Sequence, residues 1–447
     1  MNSLSFPAVE DDLLIMRHEP ADIAARRGGQ VVDAAQFLRD VAALAARLPE
    51  RRYIVNLCAD RYRFMAGFAA ALCRGQVSLM PSANVPEVLR ALAADYPDLY
   101  ALTDGAAVPL PGFVYPEDLG GAAGAAVCAA IPAGQPAVIQ FTSGSTGQPK
   151  RVLKSWRALV HSARGAGARL NASALRGATL VGTVPHQHSY GLESVILLAL
   201  QHGFAVEAST PLYPADIRAT LERTPRPRIL VTTPVHLRAL VAAPEGMPPV
   251  DLILSATAPL PGALAAAAEA CFDAPLIEIY GCTEAGQVAS RRPVQEMDWH
   301  CFEGVMLGQD DTGSWASGPA VEGTAPLQDT IELCGPGYFR LGARAAELVN
   351  IAGKRTSLAY LNQQLLSIAG VQDGVFVMDD ARPGPVPRLA ALAVAPGVAP
   401  ETILRTLRGR IDPAFLPRPL VLVEALPRNA LGKLPRAELL RLLGRAA

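Results

Sequence analysis

The stretch Phe141-Thr-Ser-Gly-Ser-Thr-Gly-Gln-Pro-Lys150 carries the strongest signal in this chain of 447 residues. It follows the apolar run Ala137–Phe141, which predicts a buried strand. Glycine lets a backbone approach an anion closely, hydroxyls and backbone N–H groups donate to its oxygens, and a lysine adds positive charge. The stretch supplies such groups at Thr142, Ser143, Gly144, Ser145, Thr146 and Gly147. It therefore predicts a phosphate-binding loop that ends at Lys150, and not a flexible surface loop.

The segments on both sides of this loop alternate between strand and helix patterns. Predicted strands are Tyr53–Leu57, Gln76–Met80, Tyr100–Asp104, Ala178–Val184, Ala205–Glu207, Ile229–Thr232 and Leu252–Ser255. Predicted helices are Ala34–Leu48, Arg63–Cys73, Pro86–Asp95, a helix from Ser155, Leu192–Gln201, Asp216–Arg223 and Val235–Val241. Gly112–Pro136 is rich in Gly, Ala and Pro and predicts a connector. The alternation predicts an α/β fold with mainly parallel sheets covered by helices.

The C-terminal part of the chain has a different pattern. Gly304–Gly342 is rich in glycine and turn residues, which predicts short antiparallel strands in a small barrel-like part. Strand and helix patterns resume after Glu347 over about a hundred residues, enough for a separate α+β domain. We therefore predict a large N-terminal domain of residues 1–344 and a small C-terminal domain of residues 345–447.

Composition excludes several classes of function. The net charge is −1, so the chain lacks the basic excess of a nucleic-acid-binding protein. No apolar run reaches the roughly eighteen residues that span a bilayer, and the N-terminus lacks a signal-peptide pattern. The seven cysteines form no CxxC pair. We expect no disulfide framework or zinc cluster, and a location in a reducing cytoplasm.

A second informative string is Glu278-Ile-Tyr-Gly-Cys-Thr-Glu-Ala-Gly286, which follows the apolar run Pro275–Ile277. A strand that ends in this way presents side chains at its carboxyl end, where α/β proteins bind ligands. Tyr280 offers a flat face for a base, Thr283 a hydroxyl for a phosphate, and Glu284 a hard oxygen for Mg²⁺. Taken alone, the string fits an ordinary turn with a solvated glutamate equally well.

The third string is Leu426-Pro-Arg-Asn-Ala-Leu-Gly-Lys-Leu-Pro-Arg436. It places Lys433 in a glycine-containing loop between a predicted strand, Leu420–Leu426, and the last predicted helix, Pro435–Leu443. A lone surface lysine is usually solvated. On a mobile loop, however, a lysine can carry its charge to a phosphate in a transition state.

Together the three strings resemble the adenylate-forming superfamily, which includes acyl-CoA synthetases, aryl-CoA ligases, luciferases and the adenylation domains of peptide synthetases. The resemblance covers roughly residues 50–447. It implies a large domain that binds ATP and the acyl group, and a small mobile lid domain. It also implies ATP and Mg²⁺ as reactants and an acyl-adenylate as the first product.

The family roles transfer to this chain residue by residue. Thr142 to Gly147 with Lys150 resemble the loop that holds the β- and γ-phosphates, and Lys433 resembles the catalytic lysine of adenylation. The other matching positions are Tyr280 beside adenine, Ala256 and Thr257 at the strand end next to adenine and acyl group, Thr283 on the α-phosphate, and Glu284 on Mg²⁺.

Two positions depart from the family pattern. The Thr-Gly-Asp string that usually holds the ribose is absent, but Asp329 precedes Arg344 by the family's spacing of fifteen, so both are assigned to the nucleotide. Many members have two acidic residues after that arginine, one of them a hinge, whereas this chain reads Ala345-Ala346-Glu347. Either Ala346 is the hinge without its polar side chain, or the register differs by one.

The acyl group and its acceptor are inferred from further likeness. His188, in Pro185-His-Gln-His-Ser-Tyr-Gly-Leu192, resembles the gate of the acyl pocket, while His186 and His236 fit core histidines bonded to backbone. The compact length, Asp60–Phe68 and Val349–Ser357 are similar to ligases of aryl polyene and xanthomonadin pigment clusters.

This likeness implies a hydroxybenzoate-like acid and an acyl carrier protein as partners. Free CoA as acceptor, or a catalytically weak nucleotide-binding partner protein, are the alternatives.

Overall fold

The computed structural model describes residues 12–81, 83–105, 108–120, 129–142, 150–243, 245–310, 313–344, 348–351, 354–379, 388–429 and 434–444. The contacts of the chain divide it into two compact units. The first contains residues 1–310 and 315–326, and the second contains residues 311–314 and 327–447. The functional boundary at residue 344 stays a prediction, and the contact division falls earlier in the chain.

The described residues up to Ser155 contain the strands of the first sheet, two of which flank the predicted phosphate-binding loop. In chain order the elements are β1 (Asp12–Leu14), β2 (Ile23–Arg27), β3 (Gln30–Asp33), α1 (Ala34–Ala45), β4 (Tyr53–Asn56), α2 (Arg61–Cys73), β5 (Val77–Met80), α3 (Pro86–Asp95), β6 (Leu99–Thr103), β7 (Gly112–Val114), β8 (Ala130–Pro132), β9 (Pro136–Thr142) and β10 (Lys150–Ser155). The strand order in this first sheet is β10-β9-β5-β4-β6-β7. Its strands are parallel except for the pair β9–β10.

The sequence prediction missed six of these strands: β1, β2, β3, β7, β8 and β10. Gly112–Pro136 was taken as a connector, but it contains β7 and β8. β10 was missed because Lys150, Arg151 and Lys154 interrupt its apolar pattern. Charged residues are common on edge strands, where they discourage pairing with other chains. β10 ends this sheet, so its charges are compatible with a strand.

The second sheet contains the Glu278–Gly286 string. Its remaining elements are α4 (Trp156–Arg169), β11 (Thr179–Gly182), α5 (Ser189–Gly191), a π-helical segment (Leu192–Leu197), α6 (Leu198–His202), β12 (Ala205–Glu207), α7 (Pro214–Arg223), β13 (Arg228–Thr232), α8 (Pro234–Val241), β14 (Leu252–Ser255), α9 (Gly262–Phe272), β15 (Leu276–Cys282), β16 (Gly286–Arg291) and β17 (Trp299–Cys301). Within the first unit the order is β17-β16-β15-β14-β13-β11-β12-β2-β3.

The strands from β2 to β15 in this order are parallel, as predicted. They are rich in Leu, Ile and Val because helices cover them. Ile217, Leu237 and Phe272, from three helices, are buried against strand residues such as Leu230. Alanine dominates α9, so the sequence shows little contrast between a polar and an apolar face, and the prediction missed this helix.

The remaining elements are short strands followed by a small α+β unit. They are β18 (Met306–Asp310), β19 (Gly313–Ser317), β20 (Thr324–Pro326), β21 (Asp329–Gly335), β22 (Tyr338–Arg344), β23 (Leu348–Ile351), β24 (Lys354–Ser357), α10 (Leu358–Leu366), β25 (Asp373–Asp379), β26 (Arg388–Val394), α11 (Pro400–Arg408), β27 (Leu420–Leu422) and α12 (Arg436–Leu442). β18–β20 form one sheet and β21–β22 a hairpin, which agrees with the antiparallel prediction.

The small unit is organised around β26. Its two faces bury different sets of residues: Leu389, Ala391 and Ala393 pack in one core, while Ala390 and Leu392 pack in another. This follows from the two-residue period of a strand. The predicted strand Leu420–Leu426 ends at Leu422, and β24 was not predicted.

None of the helices in the described residues is both long and apolar enough to cross a bilayer. The cysteines of these residues are all free: Cys58, Cys73, Cys271, Cys282, Cys301 and Cys334.

Candidate functional site

The carboxyl ends of four parallel strands form one continuous edge of the second sheet. Val231 in β13 pairs with Gly182 in β11, and Ser255 in β14 pairs with Thr232 on one side and Glu278 on the other. The loops after these strands therefore lie side by side. Ligands of open α/β sheets bind at such an edge, and the predicted residues Ala256, Thr257, Thr283 and Glu284 follow two of these strands.

The turn Thr283–Gly286, here called the Glu284 turn, connects β15 to β16. Cys282 and Gly286 face each other where the two antiparallel strands begin to pair. The backbone N–H of Ala285 donates to Cys282 Sγ at 3.4 Å. Burial raises the pKa of the Cys282 thiol to about 11, so the sulfur is a neutral acceptor near neutral pH. This local hydrogen bond closes the turn that contains Glu284.

The structure brings the Glu284 turn next to the end of the predicted phosphate-binding loop. Lys150 Nζ lies 3.9 Å from Glu284 Oε1. Thr142 and Lys150 face each other across β9 and β10, so the loop between them closes a hairpin end. The rest of the loop, Ser143 to Gly147, lies outside the described residues. Lys150 is about half exposed, so this ion pair contributes little to stability.

Glu284 fits a magnesium ligand. Its side chain is 17% exposed to solvent at the edge of the sheet. Mg²⁺ is usually held by one or two protein carboxylates together with substrate phosphates and water, and not by an all-protein cage. The described residues contain no cluster of three or more His, Cys, Asp or Glu side chains suited to a metal. A single, partly exposed carboxylate beside the predicted phosphate-binding loop suits a cation that arrives with a nucleotide.

The predicted base-binding side lies at the ends of β14 and β15. The ring centroid of Tyr280 is 5.6 Å from that of Trp299, and Tyr280 is almost fully buried. Ala256 is buried, whereas Thr257 is exposed and has a φ of +80°. A β-branched residue rarely adopts this conformation, and such strain is concentrated at ligand sites. No sequence signal revealed this strain.

A buried ion pair holds the loop after β14. Glu278 Oε1 accepts from the backbone N–H of Leu260 at 3.0 Å, and Arg291 Nε donates to Glu278 Oε2 at 2.8 Å. Burial raises the pKa of Glu278 despite the neighbouring Arg291. The guanidinium also lies 4.6 Å from the centroid of the Trp299 ring. This pair therefore links Trp299, which packs on Tyr280, to the loop that contains Thr257.

The histidines of the proposed acyl side have different environments. His188 is half-buried at the start of α5. His186 is buried, with Nε2 2.8 Å from the carbonyl of Cys58, and burial together with the Arg61 charge lowers its pKa to about 3. His186 is therefore a neutral core histidine, as predicted. His236 was predicted to bond a backbone group, and this was wrong. Its Nδ1 atom lies 3.0 Å from the hydroxyl of Thr183.

The predicted ribose residues lie in the second compact unit. Asp329 and Arg344 are direct partners across the hairpin β21–β22. The fifteen residues from Asp329 to Arg344 therefore form two strands and a turn, which bring the two residues side by side. Lys433 and Ala346 lie outside the described residues, and their roles stay predictions.

Sequence reasoning missed a second buried ion pair beside the Glu284 turn. Lys154 Nζ lies 3.1 Å from Glu193 Oε1, and both side chains are almost fully buried. Two signals were available. Lys154 lies four residues after Lys150, on the same face of a strand, and Glu193 interrupts an otherwise apolar helix, where a charge is rare unless it is paired.

Taken together, an open α/β edge, a hydroxyl-rich loop and a carboxylate turn define a class of nucleotide-binding proteins. Residues 40–308 match the AMP-binding enzyme family, and the chain belongs to that family.

Two curated relatives and one solved structure are similar to the chain. It is 29% identical over 232 residues to a 4-coumarate–CoA ligase of Rhodobacter capsulatus, covering 52% of this chain and 58% of that protein. It is 22% identical over 315 residues to a 3,4-dihydroxybenzoate–[aryl-carrier protein] ligase of Bacillus anthracis, covering 68% and 73%. The O-succinylbenzoate coenzyme A synthetase of Bacillus subtilis, in complex with ATP and magnesium ion, shares the fold with a TM-score of 0.78 and 18% identity over 93% and 96% of the two chains.

Proposed function

We propose that this protein uses ATP to convert an aromatic, hydroxybenzoate-like acid into an acyl-adenylate, and transfers the acyl group to the phosphopantetheine thiol of an acyl carrier protein. The observation that carries the proposal is the 3.9 Å approach of Lys150 Nζ to Glu284 Oε1. It brings together the two strings that resemble the phosphate and magnesium contacts of the family. The edge of the second sheet then accommodates the base and the acid.

In the first step a carboxylate oxygen of the acid attacks the α-phosphorus of ATP, and the bond to pyrophosphate breaks. The protein must hold two anions in line and stabilise charge on the phosphate oxygens. Lys150, Thr283 and the loop Thr142–Gly147 are proposed to hold the phosphates, and Lys433 to approach the reacting phosphate. Glu284 would hold Mg²⁺, which neutralises phosphate charge when it is bound. The nucleotide's ribose would contact Asp329 and Arg344.

In the second step a thiolate attacks the acyl carbonyl, a thioester forms and AMP leaves. The acid and the acceptor are supported by the activities of the relatives, which act on 4-coumarate and on 3,4-dihydroxybenzoate. Both substrates are hydroxylated aromatic acids. His188 is the proposed gate of the acyl pocket, and its half-buried place at the start of α5 suits a side chain that borders a pocket.

Free CoA is a second candidate acceptor. The 4-coumarate relative is a CoA ligase, whereas the 3,4-dihydroxybenzoate relative uses an aryl carrier protein. Purified enzyme, ATP and acid are to be mixed with either CoA or a phosphopantetheinylated carrier protein, and thioester formation measured by mass spectrometry. A thioester on the carrier protein supports the proposal, and product formed with CoA alone supports the second candidate.

The adenylation step is tested by pyrophosphate release with a panel of benzoates, cinnamates and fatty acids. We expect release with hydroxylated aromatic acids, and a loss of about 10²–10³-fold in Lys433→Ala because a charge that stabilises the transition state is removed. Lys354→Ala is the matched control, since it removes another lysine from the C-terminal residues.

Release with fatty acids but with no aromatic acid would show that the proposed substrate class is wrong. Failure of the wild-type protein to bind ATP would instead favour the catalytically weak partner protein that keeps the fold, and would overturn the proposed function.

A further inference from the structure

We infer that the buried ion pair Lys154–Glu193 is a positioning device that ties β10, the strand leaving the phosphate-binding loop, to the Glu284 turn. The inference rests on the proposed function, because Mg²⁺-bound ATP is the ligand for which the turn is positioned. All the groups that carry it lie in the first compact unit and among its described residues.

The Glu193 carboxylate accepts hydrogen bonds on both oxygens from four different parts of the chain. Oε1 contacts Lys154 Nζ at 3.1 Å and the Ser189 hydroxyl at 2.9 Å. Oε2 accepts from the Ser162 hydroxyl at 3.1 Å and from the backbone N–H of Gln287 at 3.0 Å. The carboxylate therefore connects β10, α4, the start of α5 and the first residues of β16.

The contact with Gln287 places this hydrogen-bond network next to the Glu284 turn. Gln287 follows the turn, and its side chain also donates to the Ser194 hydroxyl at 2.7 Å. A Cβ added to Gly286 would lie 2.9 Å from Lys154 Nζ and 3.0 Å from Glu193 Oε2. Gly286 has a φ of +80°, so the backbone of the turn lies against the ion pair without an intervening side chain.

Lys150 and Lys154 lie four residues apart on one face of β10, and both lie close to the Glu284 turn. Side chains two and four residues apart share a face of a strand. Lys150 Nζ lies 3.9 Å from Glu284 Oε1 in the turn. Lys154 Nζ lies 3.1 Å from Glu193 Oε1, and the same carboxylate accepts from the backbone N–H of Gln287, which follows the turn. Lysine is rare in this chain: it occurs only at Lys150, Lys154, Lys354 and Lys433, among 40 Lys and Arg residues. Two of the four are thus directed to the same turn.

Stability alone does not account for a buried pair of this kind. Removing two charges from water is costly, and apolar residues of similar volume often stabilise a protein equally well. An apolar pair, however, has no acceptor for the N–H of Gln287. The carboxylate provides that acceptor at a fixed point, and Lys154 holds the carboxylate in place. Residues behind the ligands of a metal set ligand orientation in the same way, and their mutation typically weakens metal binding or activity about 10–100-fold.

The test compares Glu193→Gln with Ser162→Ala in the full-length protein. Both change a donor–acceptor contact of the same carboxylate site, but Ser162→Ala retains the ion pair and the Gln287 contact. Without nucleotide, we expect faster amide hydrogen exchange in a peptide covering residues 283–290 of Glu193→Gln. With ATP and Mg²⁺, calorimetry should show a Kd raised about 10–100-fold in Glu193→Gln, and little change in Ser162→Ala.

A second variant keeps the test decisive if Glu193→Gln folds poorly. Lys154→Met/Glu193→Gln buries no charge, and we expect its thermal unfolding midpoint to recover relative to either single variant. The tie between β10 and the turn remains broken, so its affinity for Mg²⁺-bound ATP should stay low. Recovery of affinity together with stability would show that the pair has a structural role alone and would overturn the inference.

Two further outcomes separate this inference from the proposed function. Wild-type affinity and exchange in folded Glu193→Gln, or an equal loss in Ser162→Ala, would overturn the positioning role while leaving adenylation intact. Absence of ATP binding by the wild-type protein would overturn the proposed function, and the positioning role with it.

Discussion

Two buried ion pairs flank the hairpin β15–β16, and they join different parts of the molecule. Glu278 and Arg291 are direct partners across the two strands, so the pair lies within one hairpin. Lys154 and Glu193 come from β10 and from the π-helical segment, and they meet the same hairpin at its turn. The first pair holds the loop that ends at Leu260, on the proposed base side. The second holds the Glu284 turn, on the proposed phosphate side.

Glu278–Arg291 is a contact within one hairpin, whereas Lys154–Glu193 connects elements that are distant in the sequence. The β15–β16 ladder already brings Glu278 and Arg291 together, so losing their attraction leaves the strand pairing in place. Lys154 and Glu193 are held by separate elements. Their pair is itself a connection between β10, the strand after the predicted phosphate-binding loop, and the Glu284 turn. We therefore expect substitutions in the two pairs to differ in activity, in stability and in pH dependence.

The largest effect is expected at the carboxylate between the two pairs. Glu284→Gln should lower pyrophosphate release about 10²–10³-fold, because it removes the charge that is proposed to hold the cation of the phosphates. The unfolding midpoint should change little, since Glu284 is partly exposed. Steady-state kinetics and thermal unfolding measure the two effects.

Glu278→Gln is the matched control, a same-sized change on the adjoining strand of the same hairpin. It should retain pyrophosphate release within a few-fold. Equal losses in both variants would show that the hairpin as a whole, and not the Glu284 carboxylate, limits the reaction.

The next largest effect is expected in stability. Lys154→Met leaves the Glu193 carboxylate buried without its cation, and breaking a buried pair in this way costs about 3–5 kcal/mol. Arg291→Met should cost less, because Arg291 is more exposed than Lys154 and the strand ladder persists. Urea unfolding of both variants measures the two free energies. A larger loss in Arg291→Met would reverse the distinction between the two pairs.

The sequence predicted the fold and the three motif strings better than it predicted these ion pairs. Apolar periodicity and turn residues are local properties, so β12, β14 and α3 were predicted with the observed bounds. The contact between Lys154 and Glu193 joins residues 39 positions apart, and no local pattern encodes such a contact. The family resemblance assigned roles to Glu284 and Lys150 through their motifs, but it assigned no role to Lys154.

Local sequence patterns also failed to predict an unusual backbone conformation. The strand end at Ser255-Ala-Thr-Ala-Pro259 was recognised, but a φ of +80° at Thr257 is not a property of threonine. It arises from the path that the loop must follow between β14 and α9. The spacing of Asp329 and Arg344 was informative because a hairpin converts a fixed separation into direct pairing.

A smaller effect is expected from the titration of Glu278. Its pKa is raised above the ordinary value of 4.5, chiefly by burial. Between 4.5 and the folded-state pKa, the folded protein binds more protons than the unfolded chain. This contribution to the free energy of unfolding therefore falls as pH rises through the window, at up to about 1.4 kcal/mol per pH unit.

Glu278→Gln removes this titration. The free energy of unfolding of the variant minus that of the wild-type protein should therefore increase as pH rises from 4.5. Urea unfolding at a series of pH values tests this, and the contributions of the other ionisable groups largely cancel in the difference. A constant difference would mean that Arg291 balances the effect of burial on the pKa of Glu278, and a difference that decreases with pH would mean that Arg291 outweighs it.

The smallest effect concerns the loop that Glu278 holds. Thr257→Gly should raise the free energy of unfolding by up to about 1 kcal/mol, because glycine adopts a positive φ without the strain of a β-branched residue, although it loses more backbone entropy on folding. Thr257→Ser is the control, since it retains the hydroxyl and a Cβ. If Glu278 maintains the strain, the gain from Thr257→Gly should shrink in a Glu278→Gln background, where the loop can relax. An equal gain in both backgrounds would show that the loop's conformation is independent of the ion pair, and would restrict the role of Glu278–Arg291 to the hairpin itself.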